Sequence, residues 1–406
     1  MKVRLDDLAV FGGDAEFMDP VHVGTPNIPD RARFRYLLDE ALDRRWLSND
    51  GPLLEEFEQR VAAFVGVKHC VTTCNGTVGL ILAAKAAGLT GEVIVPSFTF
   101  VATAHALVWQ GLTPIFCDID QETYGLDPAQ VESLITPRTS AIVGVHIWGR
   151  PCAIDALSEI AGRRGLRLLF DAAHAFGCRY RGRMLGSFGD AEVLSFHATK
   201  VLNTFEGGAV LTNNDSLAEQ VRHLRNFGFS DYDAVDSLGI NGKMNEASAA
   251  MGLASLDSLP DFVAANRANY DLYCRELEGL PGLGVVRYDE GDAANYHYVV
   301  IEIDDARSAI GRDDLHRVLI AENVLARRYF YPGCHQFEYY RDQFAATGRT
   351  LPNTARLSAQ VLSLPTGTAV GPDVVRRISR IIQLVLRNGP EAGSRLKHAF
   401  SPSRTT

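Results

Sequence analysis

Two charged residues and two short loops in this 406-residue chain have types and surroundings suited to chemistry. Asp171 closes an apolar run in L-L-F-D-A-A-H-A-F-G. A carboxylate at the end of a buried strand is costly unless something pairs with it, although Asp is also a favoured helix cap. Lys200 follows another apolar run, in L-S-F-H-A-T-K, with Thr199, Asn203 and Thr204 beside it. A lysine amine there could form a Schiff base with a carbonyl group. Taken alone, a lysine there reads first as a solvated turn residue. The loop C-N-G-T joins a strand pattern to a helix pattern. Gly76 lets a ligand approach the backbone, Thr77 offers a hydroxyl, and the helix that follows presents free N–H groups and a positive dipole end. That set suits a phosphate, though a plain turn reads the same way. P-S-F-T-F closes the next strand. Its Phe100 could lie flat on an aromatic ring or simply fill the core.

The combination says more than its parts. A phosphate cradle, an aromatic platform, a carboxylate and a lysine fall in that order at the strand ends of one sheet, where ligands of open α/β sheets bind. Pyridoxal phosphate requires these four parts. The lysine holds the aldehyde, the carboxylate keeps the pyridine nitrogen protonated so that the ring acts as an electron sink, the helix start binds phosphate, and the aromatic face stacks on the ring.

The elements that must position these residues can be read from hydropathy. Phe57, Val61 and Phe64 mark a helix by their spacing. Strand runs are read at 70–73, 92–95, 113–117, 140–146, 166–170, 192–196 and 208–212, with helices between most of them. Continuous apolar strands alternating with helices predict an α/β domain with a mostly parallel sheet covered on both faces. It is placed at residues 51–250, after an N-terminal segment, 1–50. Residues 251–388 read as a smaller C-terminal α+β domain, with strands at 296–303 and in R-R-Y-F-Y-P. Residues 389–406 read as a flexible tail rich in Gly, Pro, Ser and Arg.

Composition excludes several classes. A formal charge of −9 argues against a nucleic-acid binder driven by bulk phosphate attraction. No stretch approaches the roughly 20 apolar residues that cross a bilayer. The start M-K-V-R-L-D-D-L-A-V-F is too charged for a signal-peptide core, so a cytoplasmic location is expected. The seven cysteines form no C-x-x-C pair and offer no convincing zinc site, so no metal is expected. No G-x-G-x-x-G follows a strand, which argues against a Rossmann dehydrogenase.

Over residues 27–385 the chain resembles the DegT/StrS-type nucleotide-sugar aminotransferases, which have the type I pyridoxal-phosphate fold. The motifs are W-L-S-N-D-G-P, C-N-G-T-V-G-L, V-P-S-F-T-F-V-A-T-A, D-A-A-H-A-F-G, S-F-H-A-T-K, G-I-N-G-K-M-N-E and L-S-L-P-T-G. The resemblance implies that Lys200 carries the cofactor and is the catalytic residue. It implies that Asp171 pairs with the pyridine nitrogen and that His174 contacts the ring hydroxyl. Gly76, Thr77 and Ser195 would hold the phosphate, and Phe100 would stack on the ring. Asn241 would reach the phosphate of a neighbouring subunit, in a homodimer with shared sites. Tyr329, Phe330 and His335 would line a sugar-nucleotide pocket, with Lys243 and Trp148 as further candidates. Two positions depart from the pattern: Gly242 stands where many members have an aromatic residue, and Phe205 where many have glycine.

The implied reaction is ping-pong transamination, with L-glutamate as donor, 2-oxoglutarate as its product, and a nucleotide-linked keto sugar as acceptor. The form H-A-T-K…N-T-F-E-G-G resembles members that aminate C4 of a 4-keto-6-deoxyhexose, by analogy dTDP-linked; a C3 aminotransferase is the alternative. A pyridoxamine-dependent dehydratase of the same family would have histidine in place of Lys200. A non-catalytic sensor or scaffold would have no need of the full lysine, aspartate and phosphate set.

Overall fold

The computed structural model describes residues 2–399. Seven strands form the main sheet: β1 (His69–Thr73), β2 (Glu92–Pro96), β3 (Thr113–Cys117), β4 (Thr139–Val145), β5 (Arg167–Asp171), β6 (Ala191–Ser195) and β7 (Gly208–Thr212). Their order across the sheet is β1-β7-β6-β5-β4-β2-β3, and only β7 runs antiparallel to its neighbours. The sheet is therefore mostly parallel, as its apolar runs predict.

Alternate residues of these strands feed two separate cores. Cys70, Ile142, Leu168, Phe170 and Leu194 pack on one side with the helices Pro52–Val65 and Glu246–Asp257. Val71, Val143, Leu169, Val193 and Val210 pack on the other with the helices Gly76–Ala86 and Asp215–Arg225. Burial of both faces explains why the strands read as unbroken hydrophobic runs.

A second sheet is built from β8 (Leu283–Val285), β9 (Val299–Ile303) and β10 (Val361–Leu364), all antiparallel. It packs with the amphipathic helix Pro372–Arg387, which buries Val375, Ile378, Ile382 and Val385. Residues 283–399 thus supply most of a smaller α+β unit.

Four expectations need correction. The boundary predicted at 250 falls inside the helix Glu246–Asp257, whose Ala249, Leu253 and Leu256 belong to the large core. Core membership changes further on, between Phe262 and Tyr270 of one helix. R-R-Y-F-Y-P is not a strand: only Arg327 makes a bridge, to Ser363, and the chain then turns at Tyr329 and Phe330. The strand read at 296–303 as half-buried begins at Val299, and all its residues but Glu302 are buried. The predicted tail is helical over Gly389–Ala399 because Ala392 and Leu396, one turn apart, bury against the small core, while Arg395 pairs with Asp6 and covers the ring of Phe11. The rest of that segment, 400–406, lies outside the described residues.

The N-terminal segment spans both units. Leu5, Leu8 and Phe17 join the small core. Lys2 pairs with the buried Glu322, which also accepts the N–H groups of Ala9 and Glu16. Val21–His22 then pairs in parallel with Val324–Leu325, and Leu37 and Ala41 enter the large core. No helix among the described residues is long and apolar enough to cross a membrane.

Candidate active site

A cavity of about 330 Å³ opens at the carboxyl ends of β1, β2, β4, β5 and β6. Nine of the predicted site residues line it. Gly76, Thr77 and Ser195 lie at one end, Asp171, His174 and Lys200 in the middle, and Phe100, Tyr329 and Phe330 around the mouth.

The end at Gly76 is shaped by what is missing. Asn75 caps the helix Gly76–Ala86, its Oδ1 accepting from the Val78 N–H at 2.8 Å. The N–H groups of Gly76 and Thr77, ahead of it, have no protein partner among the described residues, as expected of a first helical turn. A Cβ on Gly76 would fall 3.0 Å from Ser195 Cβ, and one on Gly208 would meet the Asn75 and Gly76 main chain at 2.7 Å. Bare backbone at both positions keeps this end open for an anion beside the helix dipole.

Asp171 ends β5, buried. Its Oδ2 accepts from Thr103 Oγ1 at 2.8 Å and its Oδ1 from the Ala173 N–H at 3.1 Å. Burial raises its pKa from the ordinary carboxylate value, while these two bonds, and after them Lys200, pull the other way. A protonated pyridine nitrogen would supply the opposite charge that a buried carboxylate needs.

His174 takes its tautomer from an unusual neighbour. Trp148 N–H donates to His174 Nδ1 at 3.2 Å, so in the neutral ring the proton sits on Nε2. Burial, and then the nearby Lys200, hold its pKa well below the usual value, so the ring is neutral. Trp148 aims that N–H from a left-handed conformation, φ 54°, which is strained for a bulky side chain.

Lys200 follows β6 in a turn closed by its own N–H to His197 O. Its Nζ lies 3.3 Å from Tyr298 Oη. Desolvation pushes the amine down to about 8, against the pull of Asp171. Tyr298 stays a neutral phenol, since burial drives its pKa well above the usual value.

Four predicted residues do not line this cavity. The Trp148 ring is wholly buried, edge-on to Phe98 and Tyr124, and its contribution is the main-chain N–H. His335 is buried against Phe344, with Nδ1 2.6 Å from Ser97 Oγ, and it pins the turn after Pro332 to the end of β2. Asn241 bridges Asn226, and Lys243 Nζ reaches Asn226 Oδ1 at 2.7 Å while covering the Phe227 ring. Both belong to a segment that leaves Phe227, Tyr232, Leu238 and Ile240 exposed.

The two departures have local reasons. Gly242 sits against the cradle: its O accepts from Cys74 N–H, and a Cβ there would fall 2.9 Å from Val78 Cγ1. Phe205 adopts φ 65°, the left-handed conformation that glycine takes freely, and packs edge-on to Phe34.

Hydropathy gave no sign of Tyr298 or Thr103, which complete or support the cavity, and Arg327 also lines it. Arg327 lies in the R-R-Y-F-Y-P stretch, whose arginines are suited to a diphosphate. The cradle, the buried carboxylate, the neutral histidine and the low-pKa lysine fit pyridoxal phosphate. No group of three or more His, Cys, Asp or Glu among the described residues could hold a metal ion.

Residues 30–383 match the DegT/DnrJ/EryC1/StrS aminotransferase family. A solved structure of DesI, with its TDP-sugar product present, is 55% identical and superposes with a TM-score of 0.92, covering 96% of this chain and 99% of that one. A dTDP-4-amino-4,6-dideoxy-D-glucose transaminase of Escherichia coli is 35% identical over 363 residues, 89% of this chain and 98% of the relative. A GDP-perosamine synthase of Escherichia coli O157:H7 is 34% identical over 311 residues, 76% of this chain and 84% of the relative.

Proposed function

Since the chain belongs to the DegT/DnrJ/EryC1/StrS aminotransferase family, and is a pyridoxal-phosphate-dependent aminotransferase of type I fold, we propose that it aminates C4 of a nucleotide-linked 4-keto-6-deoxyhexose. The amino donor is L-glutamate, and the product is a 4-amino-4,6-dideoxy sugar. The nucleotide is dTDP. Likeness to DesI and to the E. coli transaminase supports the sugar and the nucleotide. The chemistry rests on one observation: the Lys200 amine, its pKa lowered to about 8, lies in the same cavity as the Asp171 carboxylate and the open helix start at Gly76.

Bound pyridoxal phosphate supplies an aldehyde that carries the amino group and a ring that accepts electrons from the donor's α-carbon. Gly76, Thr77 and Ser195 hold the phosphate through N–H and hydroxyl groups. Asp171 would keep a proton on the ring nitrogen, and the Thr103 hydroxyl, donating to Asp171 Oδ2, favours its charged form. His174, with its proton on Nε2, would donate to the ring hydroxyl. Phe100 covers the ring and shields it from water.

Lys200 would hold the cofactor's aldehyde at rest and move the proton in turnover. Its Nζ, when free of the cofactor, would act as the base that takes the donor's α-proton and then as the acid that returns it, with those roles reversed for the sugar. A free lysine, with a pKa of about 10.4, would be protonated at neutral pH. Desolvation makes the neutral base accessible. Tyr298 Oη offers the amine a hydrogen-bonding partner while it is free of the cofactor.

Asn241 and Lys243 serve the partner subunit in a homodimer whose two sites are shared. Their placement outside their own chain's cavity, on a segment with exposed aromatic and aliphatic side chains, supports this. Tyr329, Phe330 and Arg327 meet the nucleotide sugar at the mouth. The enzyme acts in the cytoplasm, in deoxysugar biosynthesis.

The test is spectroscopic. Protein loaded with pyridoxal phosphate is bleached with L-glutamate, and the amino acid is removed. Colour recovered with dTDP-4-keto-6-deoxyglucose supports the proposal. Recovery only with the 3-keto isomer moves the chemistry to C3, and failure of glutamate to bleach the band removes glutamate as donor.

A further inference from the structure

We propose that His297 and Asn27 are positioning residues for Lys200, each gripping one of the two main-chain carbonyls that flank it. The inference rests on the aminotransferase reading, which makes the placement of Lys200 matter.

His297 lies just ahead of β9, and its Nε2 is 2.7 Å from the carbonyl oxygen of Thr199. A carbonyl only accepts, so Nε2 carries the proton. Nδ1 faces Asn266 Nδ2 at 3.4 Å, as an acceptor. Burial pushes the ring down to about 4, so the grip stays a neutral one at ordinary pH. On the other side, Asn27 Nδ2 donates to the Val201 carbonyl at 3.2 Å. Asn27 is wholly buried, and its Oδ1 accepts from the Thr368 N–H and hydroxyl at 3.1 and 3.0 Å. Its own carbonyl accepts from Asn203 Nδ2 at 2.8 Å. The carboxamide therefore has one orientation that satisfies its partners.

The two grips come from different places. His297 belongs to the small unit and Asn27 to the N-terminal segment, which also lies against Thr199 at Gly24. The turn's own main-chain bonds are local, from Lys200 N–H to His197 O and from Thr204 N–H to Phe196 O, and beyond Val201 the Ser255 hydroxyl donates to the Asn203 carbonyl at 3.0 Å. Tyr298, next to His297, meets the Nζ at the far end of the same lysine. Main chain and side chain of Lys200 are thus set by consecutive residues of another unit. A base must come within roughly 2.6–3.2 Å of the proton it takes, and a displacement of about 1 Å can cost on the order of a hundredfold in rate.

The test compares His297→Leu, His297→Gln and Asn27→Ala in the full-length chain. Amide hydrogen exchange of residues 196–204 is measured without cofactor, and the L-glutamate half-reaction with it. In His297→Leu, exchange should rise about tenfold as the turn opens locally. Its maximal half-reaction rate should fall about tenfold or more, with half-saturation by glutamate changed less than about twofold. Glutamine keeps an N–H donor, so His297→Gln should recover to within about threefold of the unmodified enzyme. Asn27→Ala should move exchange and rate in the same direction as His297→Leu. Unchanged exchange in His297→Leu and Asn27→Ala overturns the proposal, and so does His297→Gln as impaired as His297→Leu. If His297→Leu fails to fold, Asn27→Ala decides by the same two readouts. If the unmodified enzyme has no half-reaction with glutamate, the donor assignment fails, while the exchange measurement still reads the grip.

Discussion

Thr103 Oγ1 donates to Asp171 Oδ2 at 2.8 Å, and both groups are buried. Thr99 Oγ1 lies 2.8 Å from the same Thr103 hydroxyl, so a short chain of hydroxyls leads to the carboxylate. Burial favours the protonated acid, and this bond is the strongest effect opposing it. Hydrogen bonds to charged groups contribute about 1.5–3 kcal/mol. Thr103→Val should therefore weaken pyridoxal-phosphate binding by about tenfold or more, read by absorbance titration of cofactor-free protein. Thr103→Ser should bind as the unmodified chain does. Equal binding by the valine variant would show that Asp171 needs no help to stay charged.

The Lys200 amine should titrate near pH 8 in cofactor-free protein. Desolvation lowers its pKa and the Asp171 carboxylate raises it. Removing that charge in Asp171→Asn should leave the amine harder to protonate, so its midpoint should fall further. Pulse labelling with an amine-reactive reagent across pH, followed by mass spectrometry of the Lys200 peptide, checks both the value and the sign.

Gly208→Ala places a methyl group 2.7 Å from the Asn75–Gly76 backbone. That contact is with main chain, which cannot swing aside as a flexible side chain can. The variant should fold with a displaced cradle and lose affinity for pyridoxal phosphate and for free phosphate alike. Isothermal titration with both ligands tests this, and unchanged phosphate binding would place the anion elsewhere.

Shared sites predict a particular complementation. Asn241→Ala and Lys200→Ala should each impair their own homodimer. A mixed dimer holds one site with an intact lysine from one chain and an intact asparagine from the other. Each mixed dimer then has one intact site of two, so mixing equal amounts of the two variants after dissociation should restore about a quarter of normal activity, since about half of the dimers are mixed in a two-fold assembly. No recovery would count against Asn241 acting across the interface.

Arg225 is nearly buried and binds Glu58 Oε1 at 2.6 Å, Asp50 Oδ1 at 2.6 Å and the Thr72 carbonyl at 2.9 Å. It fastens the helix Asp215–Arg225 to β1, directly below the cradle. Glu58→Ala leaves this guanidinium without its buried carboxylate, and such losses cost about 3–5 kcal/mol. Urea denaturation of cofactor-free protein should show a loss of that size. A loss under about 1 kcal/mol, the range of exposed pairs, would mean that Asp50 suffices.

Residues next to each other in sequence carried most of what could be read in advance. The strands of the main sheet are legible because burial on both faces demands unbroken apolar runs. Asp171, Ser195 and Gly76 stand out because each interrupts or follows such a run, where the sheet's carboxyl edge must lie. Lys200 follows for the same reason, four residues beyond Phe196. Residue type said less about direction. Trp148 and His335 are aromatic residues near strand ends, which is why they suggest pocket walls, yet their rings turn into the core. The Gly-, Ser- and Arg-rich end looks like a tail until Ala392 and Leu396 meet the small core.

The groups that set up the reactive residues come from far along the chain. Thr103 and Asp171 are 68 positions apart, Tyr298 and Lys200 are 98 apart, and Asn27 and Val201 are 174 apart. No periodicity links such pairs, because hydropathy records whether a side chain is buried and not what it is buried against. Local pattern therefore specified the sheet, the cradle and the two charged residues at its edge. Folding of the large unit brought the Trp148 N–H to His174 and the Thr103 hydroxyl to Asp171, and packing of the small unit and the N-terminal segment onto that edge brought His297, Tyr298 and Asn27 to the Lys200 turn, since each of these hydrogen bonds exists only once distant parts of the chain are in contact.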